Sequence, residues 1–463
     1  MPIKTKIIAT LGPSSLEPGV LQAMIEAGTD IIRLNLSHST PDQIGELFHA
    51  VRSVNPDIPI MADLQGAKIR ILTHENGLTI QKGKQYELRY SGDALTEDSF
   101  SLTYPDIYSI CKKGAQLAID DGKFMMRIIE VTHTHTLVEA LSVGHIMQRK
   151  GVHVIGVDVP FPILSEKDKK DIMIAVENGT NFIAASMVRS AKEVYAIRGM
   201  LPEHIAIVVK IEHPKALENI EEIADAADYL LVARGDMGVQ LPLSHVPIAQ
   251  KRILQVGRAK GKPVIVATQL LDSMIHNVRP TRAEVSDVAS AVYDAADALL
   301  LTGETTIGDH PVECVSMLRE IAKAVEQDVD YVHLVRNFRF NKNDQSESIS
   351  YAAVEAAHSF GAHAIVCFTV SGMTAFRIAK FRPTMPIIAF TPSDQTAALL
   401  KGVFGVKVFV EPMFNDTESM ITRAKALLKE RGVVEEGDCF VVTAGLPLAV
   451  KGRTNMIRIE TIE

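Results

Sequence analysis

The segment IAIVVKIEHP, residues 205–214, places Lys210 and Glu212 directly after an aliphatic run. Ile205 to Val209 read as a buried strand. Side chains alternate faces along a strand, so Lys210 and Glu212 point to the same side at its exit. Two opposite charges beside an apolar run are costly to bury unless each meets a partner or a ligand. One such pair is compatible with a salt bridge at a strand end, but the pattern recurs. Arg33, Asn35 and Ser37 lie at or just after IIRLN, Asp63 closes IMAD, and Ser186 and Arg189 follow FIAA. Arg234 and Asp236 follow LLVA, Thr268 and Gln269 follow VIVA, and Thr302 and Glu304 follow LLL. Salt bridges do not explain so many polar exits if they all open on one mouth.

The residue types narrow the chemistry. Arg33, Arg189, Arg234 and Lys210 are cations suited to gripping phosphate and carboxylate oxygens. Glu212 and Asp236 are hard oxygen ligands for Mg²⁺ or Mn²⁺. In ARGDMG, residues 233–238, the glycines let the backbone approach a ligand closely. Cationic clamps with a divalent metal describe phosphoryl transfer, where positioning and charge neutralisation supply most of the catalysis. The chain has no G-x-x-x-x-G-K-[ST], so a nucleotide is not held by a P-loop.

These residues need strands whose ends share one side. The apolar runs at 7–12, 31–35, 60–64, 182–186, 208–212, 230–234, 264–268 and 299–303 alternate with helical patterns, which is the signature of parallel strands covered on both faces. Ser165 and Asp168 form a capping box before one such helix, which closes on Gly179. The runs predict an α/β fold, a (β/α)₈ TIM barrel formed by residues 1–70 and 152–335, roughly 250 residues and the usual barrel size. Residues 71–151 read as a small β-barrel-like lid domain inserted after the third strand, with DDG at 120–122 marking a hairpin. The polar stretch 337–348 reads as a linker. Residues 336–463 then read as a three-layer C-terminal α/β domain with a regulatory role. There TVSGMT, residues 369–374, follows a strand and opens a helix, so Thr369, Ser371, Gly372 and Thr374 predict an anion site, with Lys451 and Arg453 of KGRTN as further cations.

The formal net charge of −8 argues against nucleic acid or anionic membrane as the main partner, while anionic small molecules remain compatible. Four cysteines lie far apart with no C-x-x-C spacing, which suits a reducing cytoplasm. No stretch approaches the ~20 apolar residues of a membrane span.

The motifs RLNLSH (33–38), AASMVR (184–189), KIEHP (210–214), ARGDMG (233–238), ATQLLDSM (267–274), RPTRAEVSDVASAV (279–292) and LLTGETTIGDHP (300–311) resemble those of the pyruvate kinase family, in order and nearly end to end. The resemblance implies transfer of the phosphoryl group of phosphoenolpyruvate to ADP, giving pyruvate and ATP in glycolysis. By position, Glu212 and Asp236 resemble the Mg²⁺ (or Mn²⁺) ligands. Lys210 resembles the cation that stabilises the moving phosphoryl group, and Arg33 the phosphate grip. Ser186 and the backbone of Ala233, Arg234, Gly235 and Asp236 resemble the substrate cradle, and Thr268 the hydroxyl near the protonated carbon. Thr302 keeps a hydroxyl where the family often has serine. Asn35, His38 and Arg70 correspond to nucleotide contacts, and Arg70 also falls among the catalytic residues. The helix pattern after Thr281 implies a subunit contact in a homotetramer, and the C-terminal site a phosphorylated allosteric effector.

One departure is informative. After the third strand many members read D-T-K-G-P-E-I-R, and this chain reads DLQGAKIR, residues 63–70. Lys68 replaces a carboxylate near the monovalent-cation pocket of Asn35, Ser37 and Asp63, and so acts as an internal cation. The combination resembles the potassium-independent branch, with no K⁺ requirement. A metal-dependent barrel lyase acting on a pyruvate enolate, and a non-catalytic metabolite sensor, are the alternative readings.

Overall fold

The computed structural model describes residues 3–66, 68–90, 95–104, 106–157, 159, 162–447 and 453–463, with backbone only for His38 and Tyr108. Eight short apolar runs form the strands of a closed barrel. They are β1 (Lys6–Leu11), β2 (Ile31–Asn35), β3 (Ile60–Asp63), β4 (Phe182–Ala185), β5 (Ala206–Ile211), β6 (Tyr229–Ala233), β7 (Val264–Ala267) and β8 (Ala298–Leu301). Each pairs in parallel with the next, and β8 returns to β1 through Lys6↔Ala298. Alternation divides their side chains. Ile7, Ala9, Ile32 and Val209 face the surrounding helices, and Ile8, Met61, Phe182, Val208 and Leu231 fill a second core. Because all the strands run the same way, every polar exit lies at one end of the barrel.

The helices between the strands are set by local signals. Glu166–Glu177 starts on the reciprocal Ser165–Asp168 capping box, and Arg282–Tyr293 starts on a second one between Thr281 and Glu284. Val246–Lys260 stops where Gly261 takes the left-handed conformation at φ 67°.

After β3 the chain leaves for the insert, a second closed barrel of seven strands. Asp120, Asp121 and Gly122 all have positive φ at the turn joining Gln116–Ile119 to Phe124–Val131. Pairing in the insert begins at Ile69 and ends at Ile155, slightly wider than 71–151, because Ile69 and Arg70 pair with Val152 and Gly151.

The C-terminal sheet comprises β9 (Ile365–Phe368), β10 (Ile387–Thr391), β11 (Val406–Val410), β12 (Cys439–Ala444) and β13 (Met456–Thr461), in the order β11-β10-β9-β12-β13. All its pairs are parallel except β12–β13. Gln345–Phe360 and Met373–Ala379 cover one face, and Thr417–Glu430 covers the other, which makes three layers.

This domain docks on the end of the barrel opposite the polar exits. Tyr229, at the start of β6, donates to the Leu399 carbonyl at 2.6 Å and meets Phe376 edge-on. Arg382, 2% exposed, grips Asp297 through both guanidinium nitrogens at 2.8 Å, just before β8. The stretch expected to be a linker is anchored instead. Phe338 and Phe340 stack edge-on against Phe381, and Asp344 caps the helix Gln345–Phe360. Two half-buried aromatic residues within a largely exposed polar run are enough to anchor it.

Candidate active site

The exits of β2, β3, β4 and β5 form one charged network. Lys210 Nζ lies 2.8 Å from Glu212 Oε1 and 3.4 Å from Asp63 Oδ1, and donates to Ser186 Oγ at 2.8 Å. Arg33 donates from Nε to Asp63 Oδ2 at 2.7 Å and from Nη1 to Thr10 Oγ1 at 2.9 Å. Gly66 makes the approach of the β3 exit to β4 possible: a Cβ there would sit 2.7 Å from Ser186 Cβ, and its φ is 68°.

Charge balance holds this network ionised. Burial works to lower the Lys210 pKa, but Asp63, Glu212 and Asp236 outweigh it and keep the ammonium above its ordinary range. Burial would raise Asp63, but Lys210 and Arg33 hold it below the usual carboxylate value. Glu212 goes the other way. It is fully buried, and burial together with Asp236 pushes its carboxyl up. Its Oε2 accepts from the Met187 N–H at 2.9 Å, while Oε1 faces Lys210 as an ion pair without accepting a well-formed hydrogen bond.

Asp236 sits in the first turn of the helix Arg234–Gln240, directly after β6, and accepts from Lys68 Nζ at 3.1 Å. Burial opposes its ionisation, but Lys68 and Lys210 prevail and lower its pKa. A buried carboxylate oxygen short of a hydrogen bond, with a second carboxylate close enough to raise its pKa, fits a hard divalent cation. No group of three or more His, Cys, Asp or Glu side chains suited to a metal occurs among the described residues. Glu212 and Asp236 could supply only part of a donor set, of the kind Mg²⁺ completes with substrate oxygens and water.

A cavity of about 130 Å³ opens at this mouth, and Arg33, Asp63, Lys210 and Asp236 line it. The structure also brings Asn35, Ser37, Lys68, Ser186, Thr268 and Thr302 to its wall. Thr268 has φ 68° and Gln269 φ 52°. A β-branched residue in the left-handed region is an outlier that persists only where its surroundings impose it. Here the Gly235 N–H donates to Thr268 Oγ1 at 3.0 Å, and Arg234 Nη2 donates to the Thr268 carbonyl at 2.5 Å.

Two family models match the chain: "Pyruvate kinase, barrel domain" over residues 3–315 and "Pyruvate kinase, alpha/beta domain" over residues 347–460. The chain belongs to the pyruvate kinase family. It is 37% identical to a pyruvate kinase of Clostridium perfringens, over 99% of this chain and 100% of that protein. It is likewise 37% identical to one of Corynebacterium glutamicum, over 99% and 98%. The crystal structure of a pyruvate kinase from Cryptosporidium parvum superposes with a TM-score of 0.94 at 31% identity, covering 100% of this chain and 96% of that one.

Within this pyruvate kinase fold, two of the four expected anion-gripping cations are committed elsewhere. Arg234 also pairs with Asp287 at 2.5 Å, so its side chain pins the strained turn at Thr268. Arg189 binds Glu193 through Nε and Nη2, at 3.1 and 2.9 Å, and donates to the Val159 carbonyl. Both arginines stand beyond the ends of their strands, and each finds a carboxylate on a neighbouring helix. Arg70 lies on the first strand of the insert, donating to the Arg149 carbonyl at 2.9 Å. The His38 side chain lies outside the described residues. Lys68 lines the same cavity as Asn35, Ser37 and Asp63, but its ion-pair partner is Asp236.

In the C-terminal domain Thr369, Ser371, Thr374 and Arg453 line a common cavity. The Gly372 N–H donates to Thr369 Oγ1 at 2.9 Å, and Gly372 adopts φ 83° as the helix begins. Lys451 lies outside the described residues. Reading the strand exits missed His153, on the strand that returns from the insert, whose Nε2 is 3.9 Å from Asp236 Oδ1. The available signal was a lone imidazole inside the otherwise apolar strand GVHVI.

Proposed function

We infer that this chain transfers the phosphoryl group of phosphoenolpyruvate to ADP, giving pyruvate and ATP. The carrying observation is the buried Lys210–Glu212 pair at the barrel mouth, with Asp236 beside it and one Glu212 oxygen short of a hydrogen bond. A terminal phosphate oxygen of ADP attacks phosphorus, the bond from phosphorus to the enol oxygen breaks, and the enolate is protonated at carbon. Lys210 and Arg33 face the charge on the phosphoryl group, and Lys210 also faces the enol oxygen as it gains charge. Ser186 orients the Lys210 ammonium. The backbone of Ala233 to Asp236 cradles the substrate carboxylate. Thr268, whose hydroxyl is too weak an acid to act alone, holds a water that delivers the proton. Thr302 supports that water. Glu212 and Asp236 would hold Mg²⁺ or Mn²⁺, which supplies charge neutralisation between the two substrates.

Asn35, His38 and Arg70 take the nucleotide, with the insert, residues 71–151, acting as the lid over it. Lys68 supplies a fixed positive charge beside Asn35, Ser37 and Asp63, so that K⁺ is not required. Residues 336–463 form a regulatory domain in which Thr369, Ser371, Gly372, Thr374, Lys451 and Arg453 hold a phosphorylated effector. The assembly is a homotetramer, a reading supported by the exposed apolar residues Leu243, Ile248 and Val278. A cytoplasmic setting is supported by four free cysteines. No described helix is long and apolar enough to cross a membrane. The lyase and sensor readings are not favoured. Pyruvate release from phosphoenolpyruvate, assayed with Mg²⁺ with and without ADP, is the deciding test: ADP-dependent release is expected, and ADP-independent release overturns the reading.

A further inference from the structure

Both crossings between barrel and lid bring a side chain to one carboxylate. The outgoing crossing carries Lys68, with Nζ 3.1 Å from Asp236 Oδ1. The returning strand, Gly151–Ile155, carries His153, with Nε2 3.9 Å from the same oxygen and Nδ1 3.0 Å from Gln240 Nε2. Gln240 is the last residue of the helix whose first turn holds Asp236. His153 therefore touches that helix at both ends, and it is only 8% exposed. The two crossings are paired to each other through Gly151↔Arg70 and Val152↔Ile69.

With the Gln240 amide donating to Nδ1, the ring carries its proton on Nε2, the nitrogen that faces Asp236. A separation of 3.9 Å is beyond a direct hydrogen bond, and a bridging water spans it. We propose that His153 is a positioning residue for the Asp236 carboxylate, through which the returning strand of the insert sets the affinity for the divalent metal. This rests on the assignment of Asp236 as a metal ligand. The geometry is that of an outer partner orienting a ligating group, whose loss costs about 10–100-fold in metal affinity.

The test is Mn²⁺ binding to the substrate-free, full-length enzyme, followed by electron paramagnetic resonance of free Mn²⁺, alongside the half-saturating Mg²⁺ concentration in turnover. His153→Leu is expected to weaken Mn²⁺ binding by about tenfold and to shift the Mg²⁺ requirement equally. His153→Gln, which keeps a donor amide, stays close to the unaltered enzyme. Gln240→Leu, which keeps the ring but frees its anchor, gives a smaller loss in the same direction. His153→Leu binding Mn²⁺ as tightly as the unaltered chain overturns the proposal, as does His153→Gln falling as far as His153→Leu. Asp236→Asn serves as the reference. If it leaves Mn²⁺ binding unchanged, the metal assignment itself falls, which separates that failure from a failure of the role given to His153.

Discussion

The Lys68 ammonium lies 3.1 Å from Asp236 Oδ1 and 3.4 Å from Oδ2, and it lines the same cavity as Asn35, Ser37 and Asp63. On the reading proposed above, this tethered cation takes the part of a monovalent ion beside the substrate phosphate. Activity with Mg²⁺ in K⁺-free buffer should be close to that with K⁺ at equal ionic strength. Lys68→Glu should lower K⁺-free activity by about tenfold or more, the scale of one lost ~1.4 kcal/mol contact in the transition state, and added K⁺ should restore it. Strong K⁺ activation of the unaltered enzyme would sink the idea.

Glu212 is fully buried, and only one of its oxygens accepts a good hydrogen bond. Glu212→Gln keeps the shape and removes the charge. The half-saturating Mg²⁺ concentration should rise by at least about tenfold, with the unfolding midpoint little changed. An unaltered Mg²⁺ titration would take the residue out of the metal site.

Lys210 sits among Asp63, Glu212 and Ser186. Lys210→Met should reduce net turnover by about 10²-fold or more, since its charge faces charge that develops during the reaction. Proton exchange at C3 of pyruvate should fall less, because the Thr268 hydroxyl is untouched. Equal loss of both activities would show that the Lys210 charge matters as much to enolate formation as to phosphoryl transfer.

Arg382 and Asp297 join the C-terminal domain to the barrel through a bidentate buried pair. Asp297→Ala leaves the guanidinium buried and unpaired, and should cost about 3–5 kcal/mol in urea unfolding. Adding Arg382→Met should recover part of that loss. A single-variant loss below 1 kcal/mol, on the order of a surface pair, would mean the charges relax into solvent.

The cavity at Ser371 and Arg453 should take a phosphorylated metabolite. A thermal-shift panel of sugar phosphates and AMP on the full chain should yield at least one stabilising ligand, and Ser371→Asp should abolish its effect by repelling phosphate. If no member of the panel shifts melting or the phosphoenolpyruvate saturation curve, the cavity is structural.

Local information in the sequence determined the eight aliphatic runs, the capping boxes at Ser165 and Thr281, and the polar residues at seven of the exits, because strand and helix periods are written in adjacent positions. Parallel strands closing into a barrel then dictate that Lys210, Glu212, Asp236 and Thr268 share one end. Where each charge is spent was decided only by tertiary structure. Arg189 and Arg234 have the same residue type as Arg33 and also follow barrel strands, yet they are captured by Glu193 and Asp287. Lys68 turns to Asp236, across 168 positions of sequence. The turn at Thr268 is held in a left-handed conformation by a helix more than thirty residues earlier, and His153 reaches Asp236 only because the insert folds back over that helix. The reason is physical: a side chain's type sets what it can bind, but its partner is whatever the packed chain brings within about 3–4 Å, and that depends on contacts no local pattern encodes.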